Sequence, residues 1–168
     1  DCLAAHPPQV TPGAKELCEK LAARGAAAAW HERRVLERSR LVRERAPLPG
    51  TLVYVVSGGF RAMIEPTAAQ AFGVPAERVF ANTIEWDSEG TYTGFDAAEP
   101  TSRDGGKPSV VASLKAKGAK TVVMVGDGAT DAQAKPPADA FIGFGGVVRR
   151  EAVADAADWF ATGFGEGS

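Results

Sequence analysis

Three short apolar segments constrain the fold of this chain more than any other feature. Residues 52–56, 121–125 and 138–142 are largely apolar runs of strand length, and glycines close each of them. Runs of this kind are typical of strands that are buried on both faces of a sheet. Helical patterns separate the runs, and this alternation predicts an α/β fold built on an open parallel sheet.

The segments between these runs predict further elements. A helix is expected to begin after Thr11, as its N-cap, and to end at Gly25. Residues 79–80 predict a short strand, and the alternating residues 83–95 predict a β-hairpin. Three more helices are expected over residues 61–72, 105–117 and 150–159.

The composition is that of one soluble globular domain. The chain has 168 residues, of which 45% are hydrophobic and 24% charged, enough for a single core. A net charge of −2 gives no basis for predicting nucleic acid or an anionic membrane as a partner, and no apolar stretch approaches the roughly 18 residues of a membrane span. Two cysteines in a chain of this size predict a reduced, intracellular protein. The first residue is Asp1 rather than Met, which indicates a processed chain, a fragment or an incomplete gene model.

The segment 26–50 differs from the rest of the chain. It holds six arginines, three glutamates and no lysine, with few apolar residues that could pack. Because a charged run is usually a solvated face, we interpret it as an insert that is disordered or forms an exposed helix; a basic arm for an acidic partner is the alternative. The domain prediction is therefore one core domain over residues 1–168, interrupted by this insert.

Polar residues follow two of the predicted strands, where open parallel sheets bind their ligands. Asp127 comes after residues 121–125, between two glycines, with Asp131 one helical turn further on. Mg²⁺ prefers one or two carboxylates together with water and phosphate oxygens, so Asp127 is a candidate ligand and Asp131 a candidate support. The same pattern fits a plain helix start, at which the helix dipole favours Asp131. The sequence leaves both interpretations open.

Two further groups indicate an anion site. Ser57 and Gly58 follow the first run, where a hydroxyl and backbone N–H groups at a helix start can hold an anion; a plain glycine-rich turn is the alternative. Lys107 follows two glycines at another helix start, where its charge opposes the helix dipole and favours a bound phosphate or carboxylate; an exposed surface lysine is the alternative. The sequence contains neither a P-loop nor a dinucleotide fingerprint.

The order of these groups resembles that of a known family. Serine at one strand end, lysine at a helix start and Gly-Asp-Gly-x-x-Asp at the next strand end are similar to motifs two, three and four of the haloacid dehalogenase-like hydrolases. The resemblance is narrowed to the phosphoserine phosphatases among them by the stretches "HPPQVTPGAKEL", "VSGGFR", "VFAN", "GGK", "VGDGATD" and "PPADAFIGFGG". It covers roughly residues 6–25 and 52–164.

The resemblance implies a role for each candidate residue. Lys107 would neutralise the phosphate and act in catalysis together with Asp131, which would also support the metal shell. Asp127 would bind Mg²⁺. The residues that would hold the phosphate of the substrate are Ser57, Gly58, Lys107 and Thr130.

The implied reaction is the hydrolysis of O-phospho-L-serine to serine and phosphate through an aspartyl-phosphate, which is the last step of serine biosynthesis. The implied compartment is the cytoplasm or a plastid. Neither nucleic acid nor a membrane is expected as a partner, and a homodimer is left open. Two alternatives stay open: a non-catalytic relative that binds or regulates, and a phosphatase of another small phosphate ester.

The sequence departs from the family at the family's first motif. That motif, Asp-x-Asp-x-Thr/Ser at the end of the first strand, carries the nucleophile and the general acid, yet no Asp-x-Asp occurs in the 168 residues. The helical cap that follows the motif is absent too. The family places the missing strand in the centre of the sheet, between the strands that precede Ser57 and Asp127. We therefore expect no turnover by this chain, and either poor solubility or direct pairing of residues 52–56 with 121–125.

Overall fold

The structure is a computed structural model that describes residues 10–23 and 51–164. The insert at 26–50 and the predicted helix end at Gly25 lie outside these residues. Helix α1 occupies residues 14–23. It begins slightly later than predicted because residues 12–13 form a turn.

The first half of the domain is a two-stranded parallel sheet with one helix. Strand β1 (Val55–Phe60) leads into helix α2 (Arg61–Phe72), which returns the chain to β2 (Val79–Asn82), the parallel partner of β1. The core of this half consists of apolar side chains from the helix, the turn after it and β2: Ala68, Val74, Val79 and Ala81.

A β-hairpin follows β2. Strands β3 (Ile84–Trp86) and β4 (Tyr92–Phe95) are antiparallel. In the turn between them, Oδ1 of Asp87 accepts hydrogen bonds from two backbone N–H groups at 2.9 and 2.8 Å. The hairpin predicted over residues 83–95 is therefore confirmed.

The second half is a three-stranded parallel sheet with three helices. Its elements in chain order are α3 (Gly106–Ala116), β5 (Val123–Gly126), α4 (Ala129–Ala132), β6 (Ala140–Phe144), α5 (Glu151–Ala156) and β7 (Trp159–Ala161). The strands lie in the order β5-β6-β7. Their core consists of Val111, Met124, Ala134, Ala138, Phe141 and Val153. Parallel strands alternating with helices confirm the predicted α/β class.

The three predicted strands begin two or three residues later, and end one to four residues later, than the sequence predicts. β1 runs to Phe60 instead of ending at residue 56, and β5 and β6 likewise continue past the predicted ends at 125 and 142. Glycine predicts the end of a strand because it has no side chain to pack. Here the glycines stay extended, and in β1 the pairing becomes irregular between Val56 and Phe60, as at a β-bulge.

The last helix is shorter than predicted. Helix α5 ends at Ala156, and Trp159 begins strand β7 with 65% of its surface exposed, so the predicted helix end at 159 is wrong. Parallel pairing with β6 satisfies the backbone there, and Phe160 rather than Trp159 packs against the core. None of the helices within residues 10–23 and 51–164 has the length and hydropathy that crossing a bilayer requires.

The two parallel sheets do not join. Within residues 51–164, β1 pairs only with β2, and β5 only with β6, so the expected direct pairing of the strands before Ser57 and Asp127 is wrong. Each sheet has its own buried cluster. The break lies where the family resemblance places the missing central strand. The expected poor solubility stays a prediction.

Candidate active site

Asp131 is the buried anion of the site. It lies in the first turn of α4, and its side chain is 7% exposed. Oδ1 lies 2.5 Å from Nζ of Lys107, and Oδ2 accepts a hydrogen bond from the N–H of Gly128 at 3.0 Å. Two of the predicted site residues are therefore in direct contact, and both oxygens of the carboxylate are fixed.

The close approach of Asp131 to the end of β5 explains the glycine before Asp127. A Cβ on Gly126 would lie 2.2 Å from Cγ of Asp131, well inside van der Waals contact. Gly126 therefore has a packing role. From the sequence alone, this role cannot be distinguished from leaving room for a metal ion.

Ser57, which is predicted to hold an anion, lies within β1 and makes a local hydrogen bond. The N–H of Gly59 donates to Oγ of Ser57 at 3.0 Å. A hydroxyl that accepts one hydrogen bond can still donate its own proton. Ser57 therefore keeps a donor for an anion.

Two residues that sequence reasoning missed position Gly58. Nδ2 of Asn82 donates to the carbonyl oxygen of Gly58 at 2.8 Å, and Oγ1 of Thr101 donates to Oδ1 of Asn82 at 2.8 Å. Asn82 is a polar residue at the end of a strand, which is the signal that singles out Asp127. The same signal could have identified Asn82, whereas nothing in the sequence distinguishes Thr101.

A cleft of about 330 Å³ lies between the two halves of the domain. Gly58, Asn82 and Thr101 line it on the side of β1 and β2, and Lys107 and Thr130 line it on the side of α3 and α4. Three predicted site residues thus share one space with the two newly found ones. A space of this size suits a small molecule.

Asp127 contacts a residue that the sequence analysis does not single out. Nη1 of Arg150 lies 2.5 Å from Oδ2 of Asp127 and 2.6 Å from its main-chain oxygen. Both side chains are about half exposed, and Asp127 is not among the residues that line the cleft. Arg150 lies 23 residues further along the chain and directly follows another arginine, so the sequence carries no signal for this pair.

The match to a known family covers all of these predicted positions. Residues 2–134 match the model of the haloacid dehalogenase-like hydrolase family. The chain belongs to this family. In this haloacid dehalogenase-like hydrolase, the matched region includes both carboxylates of the loop after β5 and the lysine that one of them holds.

Curated proteins similar to this chain include phosphoserine phosphatases. The phosphoserine phosphatase of Bos taurus is 44% identical over 165 residues, which are 98% of this chain and 62% of that protein. A chloroplastic phosphoserine phosphatase of Arabidopsis thaliana is 41% identical over 157 residues, 92% of this chain and 44% of its own length. The chain therefore spans less than two thirds of the length of these relatives.

A solved structure supports the fold assignment. A phosphoserine phosphohydrolase-like protein from Francisella tularensis subsp. tularensis SCHU S4 superposes with a TM-score of 0.66 at 24% identity, over 96% of this chain and 63% of that one. This likeness and the family match confirm the predicted Rossmann-like fold of the haloacid dehalogenase type.

The described residues do not by themselves form a magnesium site, although phosphatases of the family generally use Mg²⁺. Within residues 10–23 and 51–164, no group of three or more His, Cys, Asp or Glu side chains could hold a metal ion. Asp127 is paired with Arg150, and Asp131 with Lys107. Mg²⁺ requires a near-octahedral shell of oxygen ligands, so the ion does not fit this arrangement as it stands.

Proposed function

We propose that this chain forms the phosphate-binding part of a phosphoserine phosphatase, which hydrolyses O-phospho-L-serine to serine and phosphate. The proposal is carried by the pair that Lys107 forms with the buried Asp131 beside the cleft. The side chain of Lys107 is 18% exposed, and Asp131 holds its ammonium in place. A cation positioned in this way can meet a phosphoryl group without reorganisation. The substrate in the proposal comes from the phosphoserine phosphatases to which the chain is similar.

The two sides of the cleft contribute different contacts in this proposal. Lys107 neutralises charge on the phosphoryl oxygens, and the hydroxyl of Thr130 donates to them from the start of α4. From the other side, Gly58 lines the cleft, and its backbone and the hydroxyl of the preceding Ser57 are proposed to hold the same phosphate. Asp131 acts on the reaction by fixing Lys107.

The chemical step needs a nucleophilic carboxylate. Attack forms an O–P bond to that carboxylate and breaks the P–O bond to serine, whose leaving oxygen takes a proton from a general acid. Asp131 is a poor candidate for either task because Lys107 and the N–H of Gly128 hold its two oxygens. No Asp-x-Asp is present in the sequence, so turnover is proposed for a longer protein that carries this motif, not for the 168 residues alone.

Asp127 is proposed as one ligand of Mg²⁺. A single carboxylate leaves most of the coordination shell to water, so the affinity of this chain is expected to be low. The proposed compartment is the cytoplasm or a plastid, in line with the chloroplastic relative. A homodimer stays a prediction from the sequence.

A second candidate is a relative that binds phosphate esters without turnover. The absence of Asp-x-Asp from the sequence favours it. Both candidates require the same phosphate contacts, and they differ in whether a chain with the missing motif upstream hydrolyses the ester.

The phosphate contacts can be tested by NMR titration of the chain with O-phospho-L-serine and with inorganic phosphate. Lys107→Ala should weaken binding about tenfold or more, because a hydrogen bond to a charged group contributes roughly 1.5–3 kcal/mol. Lys115→Ala is the matched control, since Lys115 also lies on α3 and pairs with a carboxylate, that of Asp139. Equal weakening by both substitutions would contradict the proposal. Equally tight binding of phosphothreonine and glycerol phosphate would favour a phosphatase of broader range.

A further inference from the structure

Arg150 occupies the cation position at Asp127. One nitrogen of its guanidinium, Nη1, lies within hydrogen-bond distance of two oxygens of Asp127, Oδ2 at 2.5 Å and the main-chain oxygen at 2.6 Å. Oxygen atoms of these two kinds are also ligands for hard divalent cations. The guanidinium and a metal ion therefore need the same carboxylate.

Among residues 10–23 and 51–164, Asp127 is the carboxylate that pairs with Arg150. Arg150 is the N-cap residue of α5, where the helix dipole disfavours a cation. Its neighbour Arg149 instead forms two hydrogen bonds with Glu151, at 2.9 and 3.2 Å. Asp127 thus supplies the negative charge that holds Arg150.

The segment that leads to Arg150 is positioned by aromatic packing. A Cβ on Gly145 would lie 2.4 Å from Cζ of Phe160, so the ring lies directly against this backbone. The guanidinium of Arg149 lies 4.9 Å from the centre of the same ring. The segment that precedes Arg150 therefore packs against β7, and this packing places Arg150 next to Asp127.

We propose that Arg150 is a built-in counterion of Asp127, which neutralises this carboxylate and competes with a divalent cation for it. The proposal rests on the proposed function, in which Asp127 is a metal ligand. Both side chains are about half exposed, so solvent screens the pair and the pair can open. In the closed pair, the strand-end carboxylate is neutralised without a metal ion.

The test is Mn²⁺ binding to the 168-residue chain, followed by the electron paramagnetic resonance signal of the free ion. Removing an exposed ion pair is worth a modest factor, so Arg150→Ala and Arg150→Gln should each bind Mn²⁺ roughly two- to fivefold more tightly than the wild type. Arg149→Ala removes the same charge one residue away without touching Asp127 and should change the affinity much less. Asp127→Asn in the Arg150→Ala background should abolish the gain. Circular dichroism checks that each variant is folded.

The outcomes separate this inference from the proposed function. If Asp127→Asn removes Mn²⁺ binding but Arg150→Ala and Arg149→Ala behave alike, the counterion role is overturned and Asp127 remains a ligand. If Asp127→Asn leaves binding unchanged, the ion binds elsewhere and both proposals about Asp127 are overturned. Absence of binding in both the wild type and Arg150→Ala also overturns the inference.

Discussion

Replacing Asp131 should show how much its ion pair with Lys107 contributes to the free energy of unfolding. Asp131→Asn preserves the size of the side chain but leaves the ammonium of Lys107, whose side chain is 18% exposed, without a charged partner. Removing one partner of a buried ion pair costs about 3–5 kcal/mol. Because Lys107 keeps some contact with water and Asn can still accept from Gly128, we expect a loss of about 2–3 kcal/mol. At roughly 2–4 °C per kcal/mol for a domain of this size, the melting temperature should fall by about 4–12 °C.

Urea unfolding followed by circular dichroism measures this loss. The double variant Lys107→Met/Asp131→Asn should recover part of it, since no unpaired buried charge then remains. Asp139→Asn is the control, because it breaks a comparable lysine contact that is far more exposed, and its effect should be much smaller. An Asp131→Asn chain that is no less stable than Asp139→Asn would refute the argument that the site pair is buried and coupled to folding.

Two further predictions concern stability. A hydrogen bond from Lys115, followed in importance by a backbone hydrogen bond, lowers the pKa of Asp139. The pKa of Asp139 in the folded chain therefore lies below its unfolded value of about 3.9. The ionised carboxylate stabilises the fold above about pH 4, and this stabilisation is lost as the pH falls through the folded pKa. The urea midpoint should therefore fall on acidification below about pH 4, and it should fall less in Asp139→Asn. Gly126→Ala should displace Asp131, destabilise the fold by about 1–3 kcal/mol and weaken phosphate binding in the NMR titration. Gly58→Ala, whose Cβ would meet nothing within 4 Å, should unfold in urea as the wild type does.

The contact between Lys107 and Asp131 shows which part of the site the sequence can predict. Helices that pack antiparallel on parallel strands begin at the edge where those strands end, and ligands bind there. A lysine at one such helix start and an aspartate at another are therefore expected near each other. The distance of 2.5 Å between Nζ and Oδ1 agrees with that expectation.

The pairing of Asp127 with Arg150 shows which part it cannot predict. Arg149 and Arg150 are adjacent and identical in type, and only the path of the preceding segment decides which of them reaches Asp127. That path depends on the ring of Phe160 against Gly145, a contact between distant positions. No local pattern in the sequence encodes it.

The ends of the strands could not be predicted correctly either, because they also depend on contacts between distant parts of the chain. Glycine weakens a strand by its own preference, but a neighbouring strand can hold it extended, as β6 holds Gly126 opposite Gly143. The prediction at 150–159 failed for a related reason. Trp159 begins a strand because that segment pairs in parallel with β6. The local sequence pattern that predicts a helix contains no information about this pairing.

Phosphate release from O-phospho-L-serine in the presence of Mg²⁺ tests whether this chain is part of a phosphoserine phosphatase. The 168-residue chain is compared with a chain that carries an Asp-x-Asp-x-Thr strand and a helical cap upstream of it. We predict release by the extended chain, abolished by Asp127→Asn, and no release by the 168-residue chain, because the geometry of an in-line carboxylate decides the rate. Release by the 168-residue chain that Asp127→Asn abolishes would contradict the proposed function and would require another nucleophile.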